Sequence, residues 1–227
     1  MRGSGDFLSL FFPSNCLICG KRLGNFGIAL CFDCEIHMPK TRRADELDDP
    51  VCEIFWGRIP VHAGTALFRF EKGSAYQSLI HELKYRGNWR TGLYLGRLLG
   101  QKLLHGSHAL CDFVVPVPLH PRRLRQRGYN QSEFIARGIS EVLGIPVHRK
   151  LIRRITYQSS QTSMNRMERF QNMDKVFSLC KSTLDLHNKK ILLVDDIVTT
   201  GATLEACSRL LIEGYNCSIH IATLCQA

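Results

Sequence analysis

Residues 191–203, with the sequence ILLVDDIVTTGAT, constrain the fold more than any other stretch of the chain. Four consecutive apolar residues indicate a strand buried on both faces, as in a parallel sheet. Asp195 and Asp196 follow at the carboxyl end of this strand, where open α/β sheets bind ligands. A loop then leads into a helical pattern, and its residues are Thr199, Thr200, Gly201, Ala202 and Thr203. The segment therefore predicts both the type of sheet and the place of a ligand site.

We call residues 199–203 the threonine loop, and its chemistry suits a phosphate. Gly201 can adopt a positive φ that lets successive N–H groups converge, and the helix that follows adds unsatisfied N–H groups. The two carboxylates cannot bind phosphate directly, but they suit ribose hydroxyls or a hydrated Mg²⁺. The alternative is that Asp195 and Asp196 merely end a strand and that Thr203 caps a helix.

The rest of the chain alternates between apolar strand patterns and amphipathic helix patterns, which favours βαβ units and an α/β fold. Strands are predicted at 112–117, 146–148, 191–194 and 218–224. Helices are predicted at 74–85, 92–104, 131–143 and 203–213.

The basic residues are concentrated in one part of the chain. The formal net charge is +10, and residues 112–155 carry nine Lys/Arg against three Asp/Glu. A surplus of this kind indicates a polyanionic partner. Between a predicted strand and a predicted helix lies a loop that we call the arginine loop. It contains Arg122, Arg123, Arg125, Arg127 and Gly128. Arginine forks suit phosphate, although a solvated basic turn or a nucleic-acid patch would have the same composition.

Four of the ten cysteines form two Cys-x₂-Cys pairs, and they are Cys16, Cys19, Cys31 and Cys34. This spacing predicts a closed structural zinc site, the alternative being unliganded thiols. The other six cysteines show no pairing and are expected to be small core residues. No apolar run is long enough for a membrane span and no signal peptide is apparent, so we expect a cytoplasmic protein without disulfides.

Residues 191–203 resemble the phosphoribosyl diphosphate (PRPP) signature of type I phosphoribosyltransferases. The resemblance implies that Asp195 and Asp196 are the catalytic pair that holds the ribose hydroxyls, with Mg²⁺ accompanying PRPP. It implies that the threonine loop cradles the 5′-phosphate and that the arginine loop binds pyrophosphate. Enzymes of this family that act on hypoxanthine or guanine carry an aspartate where this chain has Thr199, which argues against those acceptors.

Two further segments match parts of the same fold. The polar stretch 156–175 lies where the family has its catalytic lid, with the candidate residues Gln161, Thr162, Arg166 and Arg169. The end of the helix predicted at 74–85 could reach the site as a hood, through Lys84, Tyr85 and Arg86. The alternative is that these basic residues simply suit a helix C-terminus.

The sequence PVPLHPRRLRQRGYNQS at 116–132, LKYRGN at 83–88 and the four-cysteine segment together resemble the ComF family. This resemblance implies a type I phosphoribosyltransferase-like parallel sheet flanked by helices, with a zinc module and linker at 1–50, a hood at 51–110 and the main domain at 111–227. One hypothesis is a transferase that uses PRPP, or another ribose phosphate, and an unidentified acceptor in a competence setting. The other is a non-catalytic protein of this fold that binds single-stranded DNA or the DNA-uptake machinery.

Overall fold

A computed structural model describes residues 15–23, 29–41, 49–155, 176–182 and 184–227 of the chain. The strands are β1 (Val61–Arg69), β2 (Phe113–Pro116), β3 (Ile152–Arg154), β4 (Phe177–Leu179), β5 (Lys190–Val198) and β6 (Ser218–Gln226). The helices are α1 (Phe32–Ile36), α2 (Pro50–Glu53), α3 (Gln77–Tyr85), α4 (Trp89–Leu103), α5 (Pro121–Arg127), α6 (Gln131–Leu143) and α7 (Ala202–Tyr215). A short 3₁₀ helix, Ser107–Leu110, precedes β2.

Four strands form a parallel sheet in the order β1-β6-β5-β2. The apolar residues of β5 are fully buried, because helices cover both faces of the sheet. The predicted α/β fold with a parallel sheet and flanking helices is confirmed. β3 and β4 pair antiparallel as a separate two-stranded sheet.

Three local predictions differ from the structure. β1 was not predicted, and it brings a strand from residues 51–110 into the main sheet. The strand expected at 146–148 is reduced to a single bridge between Val147 and Val114. The arginine loop contains the helix α5, which begins with Pro121 in its first turn after His120 as N-cap. The three-part division of the chain remains a prediction.

Alternate residues of the strands enter two separate cores. Val114, Leu192 and Val194 pack on the face covered by α3, α4 and α6, whereas Leu193 packs on the opposite face with α2 and α7. α4 and α6 cross closely at Gly96, where a Cβ would lie 2.3 Å from the carbonyl oxygen of Ile135. Only glycine permits this approach, which fixes α6 above β2 and β5.

The N-terminal segment packs on α3 and on β1. Tyr76 Oη donates to the carbonyl oxygen of Cys34 at 2.8 Å, and Ser78 Oγ donates to that of Leu17 at 3.0 Å. Farther along, Lys40 forms an antiparallel bridge with Phe68 of β1. The four-cysteine segment is thereby joined to the start of α3, whose other end reaches the carboxyl end of the sheet.

The path of the chain reverses between β2 and β5. From β2 it passes through α6 to the bridge at Val147 beyond one side of β2, whereas from β5 it passes through α7 to β6 on the other side. α6 and α7 lie on opposite faces of the sheet. A crevice therefore opens between the carboxyl ends of β2 and β5, at the topological switch point where such sheets bind ligands.

Candidate functional site

The acid pair, Asp195 and Asp196, lies at the carboxyl end of β5 beside this crevice. Asp195 Oδ1 accepts a hydrogen bond from Ser132 Oγ at 2.9 Å and another from the backbone N–H of Asp196 at 2.9 Å. Ser132 belongs to the first turn of α6, so the positive end of that helix faces the carboxylate. Two donors and a helix terminus thus hold Asp195 in one orientation.

The electrostatics of the acid pair are set by burial and by mutual repulsion. Burial and the charge of Asp196 raise the pKa of Asp195 to about 7, against the opposing effects of its N–H and hydroxyl donors and of Lys84. Lys84 Nζ lies 3.1 Å from Asp196 Oδ1, and the two side chains are largely buried. A cation therefore already contacts the pair, from a helix on one side of the crevice.

The threonine loop joins β5 to α7 with its hydroxyl groups toward solvent. Thr199 and Thr200 are exposed, and Gly201 adopts a left-handed φ of 73° as the N-cap of α7 without a side-chain cap. A Cβ on Gly201 would lie 2.7 Å from Ile54 Cγ2 and 2.7 Å from Phe55 Cε1. Both the backbone conformation and the packing therefore require glycine here, and Ala202 and Thr203 begin the helix.

Arg58 is a residue of this loop's surroundings that sequence reasoning missed. Its Nη1 donates to the carbonyl oxygen of Thr200 at 2.8 Å and to that of Ile54 at 2.9 Å, while Nη2 pairs with Glu205. Glu205, in the first turn of α7, also accepts a hydrogen bond from Arg209 at 3.0 Å. Arg58 lies 142 positions before Thr200, so no local sequence pattern could indicate that the two residues are in contact.

The arginines of α5 have different neighbours. The Arg127 guanidinium lies 5.5 Å from the centre of the ring of the exposed Tyr85. Burial lowers the pKa of Arg154, and the nearby positive charge of Arg123 lowers it further. Arg122 and Arg125 are exposed, and Gly128 ends the helix with a left-handed φ of 79°.

Arg154, at the end of β3, was not singled out from the sequence. Its guanidinium lies 5.3 Å from the Phe177 ring centre, and its buried Nε has no hydrogen-bond partner among the residues that the structure describes. The charges of Asp195 and Arg123 both act on it. Arg154 therefore lies near a second guanidinium group and has no hydrogen bond at its Nε within the described part of the chain, which suits an anionic ligand.

The three hood candidates have different contacts. Lys84 pairs with Asp196, whereas Arg86 pairs with Glu82 of its own helix at 3.2 Å. Tyr85 contacts Arg127, so it connects α3 to α5. The lid candidates Gln161, Thr162, Arg166 and Arg169 lie outside the described residues.

The four cysteines predicted to bind zinc lie together. All four sulfur atoms are within 4.8 Å of one another, and the sulfurs of Cys19 and Cys31 are 3.7 Å apart. A tetrahedral zinc with bonds of about 2.3 Å places its sulfurs about 3.8 Å apart, so the arrangement fits this ion. Burial raises the pKa of Cys16, but N–H donors from Cys19, Cys31 and Ile18 outweigh it and lower that pKa to about 6. Burial and the neighbouring sulfurs raise the pKa of Cys34.

No helix within the described ranges combines the length and the apolar character needed to cross a bilayer.

Residues 130–227 match the family model described as the phosphoribosyl transferase domain. With the parallel sheet and its flanking helices, this match defines a phosphoribosyltransferase-like protein. Among solved structures, the allosteric regulatory enzyme of purine biosynthesis is 21% identical, with a TM-score of 0.41 over 60% of this chain and 26% of that chain.

The relatives then narrow the class. The chain is 31% identical to Competence protein F of Haemophilus influenzae, over 59% of this chain and 60% of that protein. It is 30% identical to DNA utilization protein YhgH of Salmonella typhi, over 65% of this chain and 66% of that protein. Competence protein ComFC of Streptococcus pneumoniae is 29% identical over 87% of this chain and 93% of that protein. These relatives support a ComF-family, phosphoribosyltransferase-like protein, and the chain spans less than two thirds of the length of the first two.

Proposed function

We propose that the crevice between β2 and β5 binds PRPP or another ribose phosphate and transfers the phosphoribosyl group to an acceptor. The observation that carries the proposal is the position of the acid pair beside a glycine-initiated helix at the switch point of the sheet. Carboxylates and an uncapped helix N-terminus together match the two ends of a ribose 5-phosphate, hydroxyl groups at one and phosphate at the other.

In this proposal the phosphate binds at the threonine loop. The N–H groups at the start of α7 and the hydroxyls of Thr199, Thr200 and Thr203 would donate to its oxygens. Ala202 adds only a methyl group near these donors, and Gly201 has no side chain because Ile54 and Phe55 pack where its Cβ would be. This explains why the loop combines glycine, alanine and hydroxyl residues.

The acid pair would accept hydrogen bonds from the ribose hydroxyls. Its oxygen donors also fit Mg²⁺, which when bound would neutralise the negative charge of a diphosphate. Lys84 contacts Asp196 in the structure, so a hydroxyl group or a cation that approaches Asp196 has to share or displace that contact. We therefore assign Lys84 the role of neutralising the pair before the ligand arrives.

The departing pyrophosphate would meet Arg123 and Arg154. As the bond from ribose C1 to the pyrophosphate oxygen breaks, pyrophosphate leaves with the bonding electrons and the acceptor forms the new bond to C1. Guanidinium groups placed where negative charge develops lower the barrier by electrostatic stabilisation. The half-buried position of Arg154 makes that interaction stronger than the same contact in open solvent.

Thermal unfolding with PRPP and Mg²⁺ tests this proposal. A bound ligand raises the melting temperature by mass action, so the wild-type chain should be stabilised and the Asp195→Asn/Asp196→Asn variant should not. Asp185→Asn, an exposed carboxylate before β5, is the matched control and should respond as the wild type does. Equal shifts in the double variant and the wild type would contradict the assignment. If only the wild type responds, a pyrophosphate-release screen over bases and amines would identify the acceptor.

A second candidate function is binding of single-stranded DNA or of competence-machinery partners without catalysis. The relatives' names favour it, and so does Tyr85, a residue that is 67% exposed and lies beside Arg127. Aromatic rings and arginines together bind single strands by stacking and by charge. Oligonucleotide binding that persists in the Asp195→Asn/Asp196→Asn variant, with no PRPP shift in the wild type, would favour this function over transfer.

At the other end of the chain, we propose that the four cysteines hold a structural zinc ion. Four protein ligands leave no open coordination position, so the ion would stabilise the N-terminal segment and take no part in chemistry.

A further inference from the structure

We infer that Arg58 is a positioning residue that holds the threonine loop in the conformation needed to receive a phosphate. This inference rests on the proposed function, because it concerns the same loop. Arg58 lies in the turn after α2 and touches neither the acid pair nor the face of the loop where a ligand would bind. Its action on a ligand is therefore indirect.

The contacts of Arg58 join three separate parts of the chain. Its Nη1 donates to the carbonyl oxygens of Thr200 and Ile54, and its Nη2 pairs with Glu205. A carbonyl group and the following N–H belong to one planar peptide, so fixing the Thr200 oxygen also fixes the N–H of Gly201 on the opposite side. Arg58 thereby orients the first donor of the proposed phosphate site.

Arg58 also neutralises the negative charge of Glu205, which would oppose the binding of a phosphate. Glu205 is buried in the first turn of α7, and its N–H donates to the carbonyl oxygen of Gly201 at 2.8 Å. An unpaired carboxylate there would repel a phosphate that approaches the same helix end. Arg58 and Arg209 both pair with Glu205, so the local charge becomes positive.

Packing supports the same segment. Ile54 and Phe55 lie where a Cβ on Gly201 would be, which places the turn after α2 directly against the loop. Hydrogen bonds, charge and packing from residues 54–58 therefore converge on the same peptide. Arg209 offers a matched control, because it pairs with Glu205 but has no bond to the Thr200 carbonyl.

The test compares Arg58→Met with Arg209→Met in the full chain, using ribose 5-phosphate as the probe in calorimetric titrations. Loss of a charge-assisted hydrogen bond that orients the site should weaken binding by about tenfold to a hundredfold in Arg58→Met. Arg209→Met should stay within about threefold of the wild type, since the Thr200 bond is intact. Arg58→Lys keeps the charge but has one nitrogen in place of the two that serve the carbonyls and Glu205, and we expect an intermediate loss.

Amide hydrogen exchange supplies a readout that does not need a ligand. Residues 200–205 should exchange faster in Arg58→Met than in Arg209→Met, because only the former frees the Thr200 peptide. Equal exchange in the two variants, or ribose 5-phosphate affinity in Arg58→Met within threefold of the wild type, would overturn the inference. If the wild type binds no ribose 5-phosphate, the proposed function fails, and the exchange rates alone then decide whether Arg58 holds the loop.

Discussion

The two ends of the parallel sheet both bury titratable groups, but in opposite ways. At the carboxyl end, burial raises the pKa of Asp195 to about 7, and this carboxylate has a hydroxyl donor and an ion-paired neighbour. At the amino end, His108 and His220 are buried with ring centres 5.4 Å apart, and their ring nitrogens have no side-chain or backbone partner of standard geometry among the described residues. Burial lowers the pKa of His108 to about 4 and that of His220 to about 3.

The difference shows what distinguishes a candidate site from a core. At the amino end the imidazoles are kept neutral, and His62 covers His220 at a ring distance of 4.9 Å. At the carboxyl end, charges of both signs meet, held there by bonds from α3 and α6. Charged groups kept together at a cost in stability are typical of functional sites.

The largest effect is expected from removing the proposed zinc site. This change tests whether the two ends of the parallel sheet depend on the N-terminal segment for their stability. Cys16→Ser/Cys19→Ser should reduce zinc from about one per chain to none and lower the free energy of unfolding by about 3–5 kcal/mol. Because Cys34 and Leu17 hold the start of α3, ligand binding at the carboxyl end should weaken as well. Metal analysis and denaturant unfolding measure this, with Cys180→Ser as the control outside the cluster. A folded wild-type chain that contains no zinc would contradict the expectation.

The pH dependence of stability compares the two ends directly. The unfolded chain binds more protons at His108 and His220 as the pH falls from about 6.5 to 4, so each histidine lowers the free energy of unfolding by up to about 1.4 kcal/mol per pH unit. Asp195 acts with the opposite sign, because its raised pKa makes the folded chain bind the proton first between about pH 7 and 4. The net expectation is a loss of about 1.4 kcal/mol per pH unit on acidification.

Variants separate the two contributions to this profile, measured by urea unfolding at several pH values. Asp195→Asn removes the opposing term and should steepen the loss to about 2.7 kcal/mol per pH unit. His220→Leu should make the profile nearly flat, since one histidine and one aspartate then cancel. Identical profiles in wild type and both variants would show that the two ends do not differ in this way.

Asp195→Asn should also reveal a conflict between stability and binding at neutral pH. Asparagine keeps an acceptor for Ser132 and removes the repulsion from Asp196, so the free energy of unfolding should rise by about 2 kcal/mol. The stabilisation by PRPP should disappear in the same variant. A less stable variant that still responds to PRPP would show that the acid pair contributes to the packing of the core and does not bind the ligand.

The smallest effect is expected at Lys84. Lys84→Met leaves Asp196 without its partner and should lower the free energy of unfolding by about 1 kcal/mol at neutral pH. Mg²⁺ should restore part of this loss, because a cation can take the vacated position beside the carboxylate. Arg86→Met, which removes only an exposed pair with Glu82, should change stability by less than about 0.5 kcal/mol. If Mg²⁺ changed the stability of both variants to the same extent, the assignment of Lys84 to the site would be wrong.

The sequence allowed prediction of the elements with strong patterns. The buried run of β5, the helix at 131–143 that ends in Gly144 and the cysteine spacing all depend on local signals, and each is found in the structure. β1 was missed because Gly64 and Thr65 interrupt its apolar residues, and Gly64 is there for close packing against Val51 and Cys52. The helix of α5 could have been predicted from Pro121 after His120, a known signal for a first helical turn.

The contacts of the candidate site were harder to predict, since they join residues far apart in the chain. Nothing near Lys84 indicates Asp196 as its partner, and nothing near Arg58 indicates Thr200 or Glu205. Arg154 looks like any other basic residue until β3 places it beside Asp195. Sheet topology decides these pairs, and a single sequence carries no direct signal of it.

The bridge between Lys40 and Phe68 has a consequence for how the protein behaves in a crowded solution. β1 lies at the border of the sheet, and its outer side would otherwise offer free backbone groups to another chain. The N–H of Arg69 donates to the carbonyl oxygen of Pro39 at 2.9 Å, and that of Thr41 donates to that of Leu67 at 3.2 Å. The segment that follows the cysteines therefore also shields the molecule from strand-to-strand aggregation.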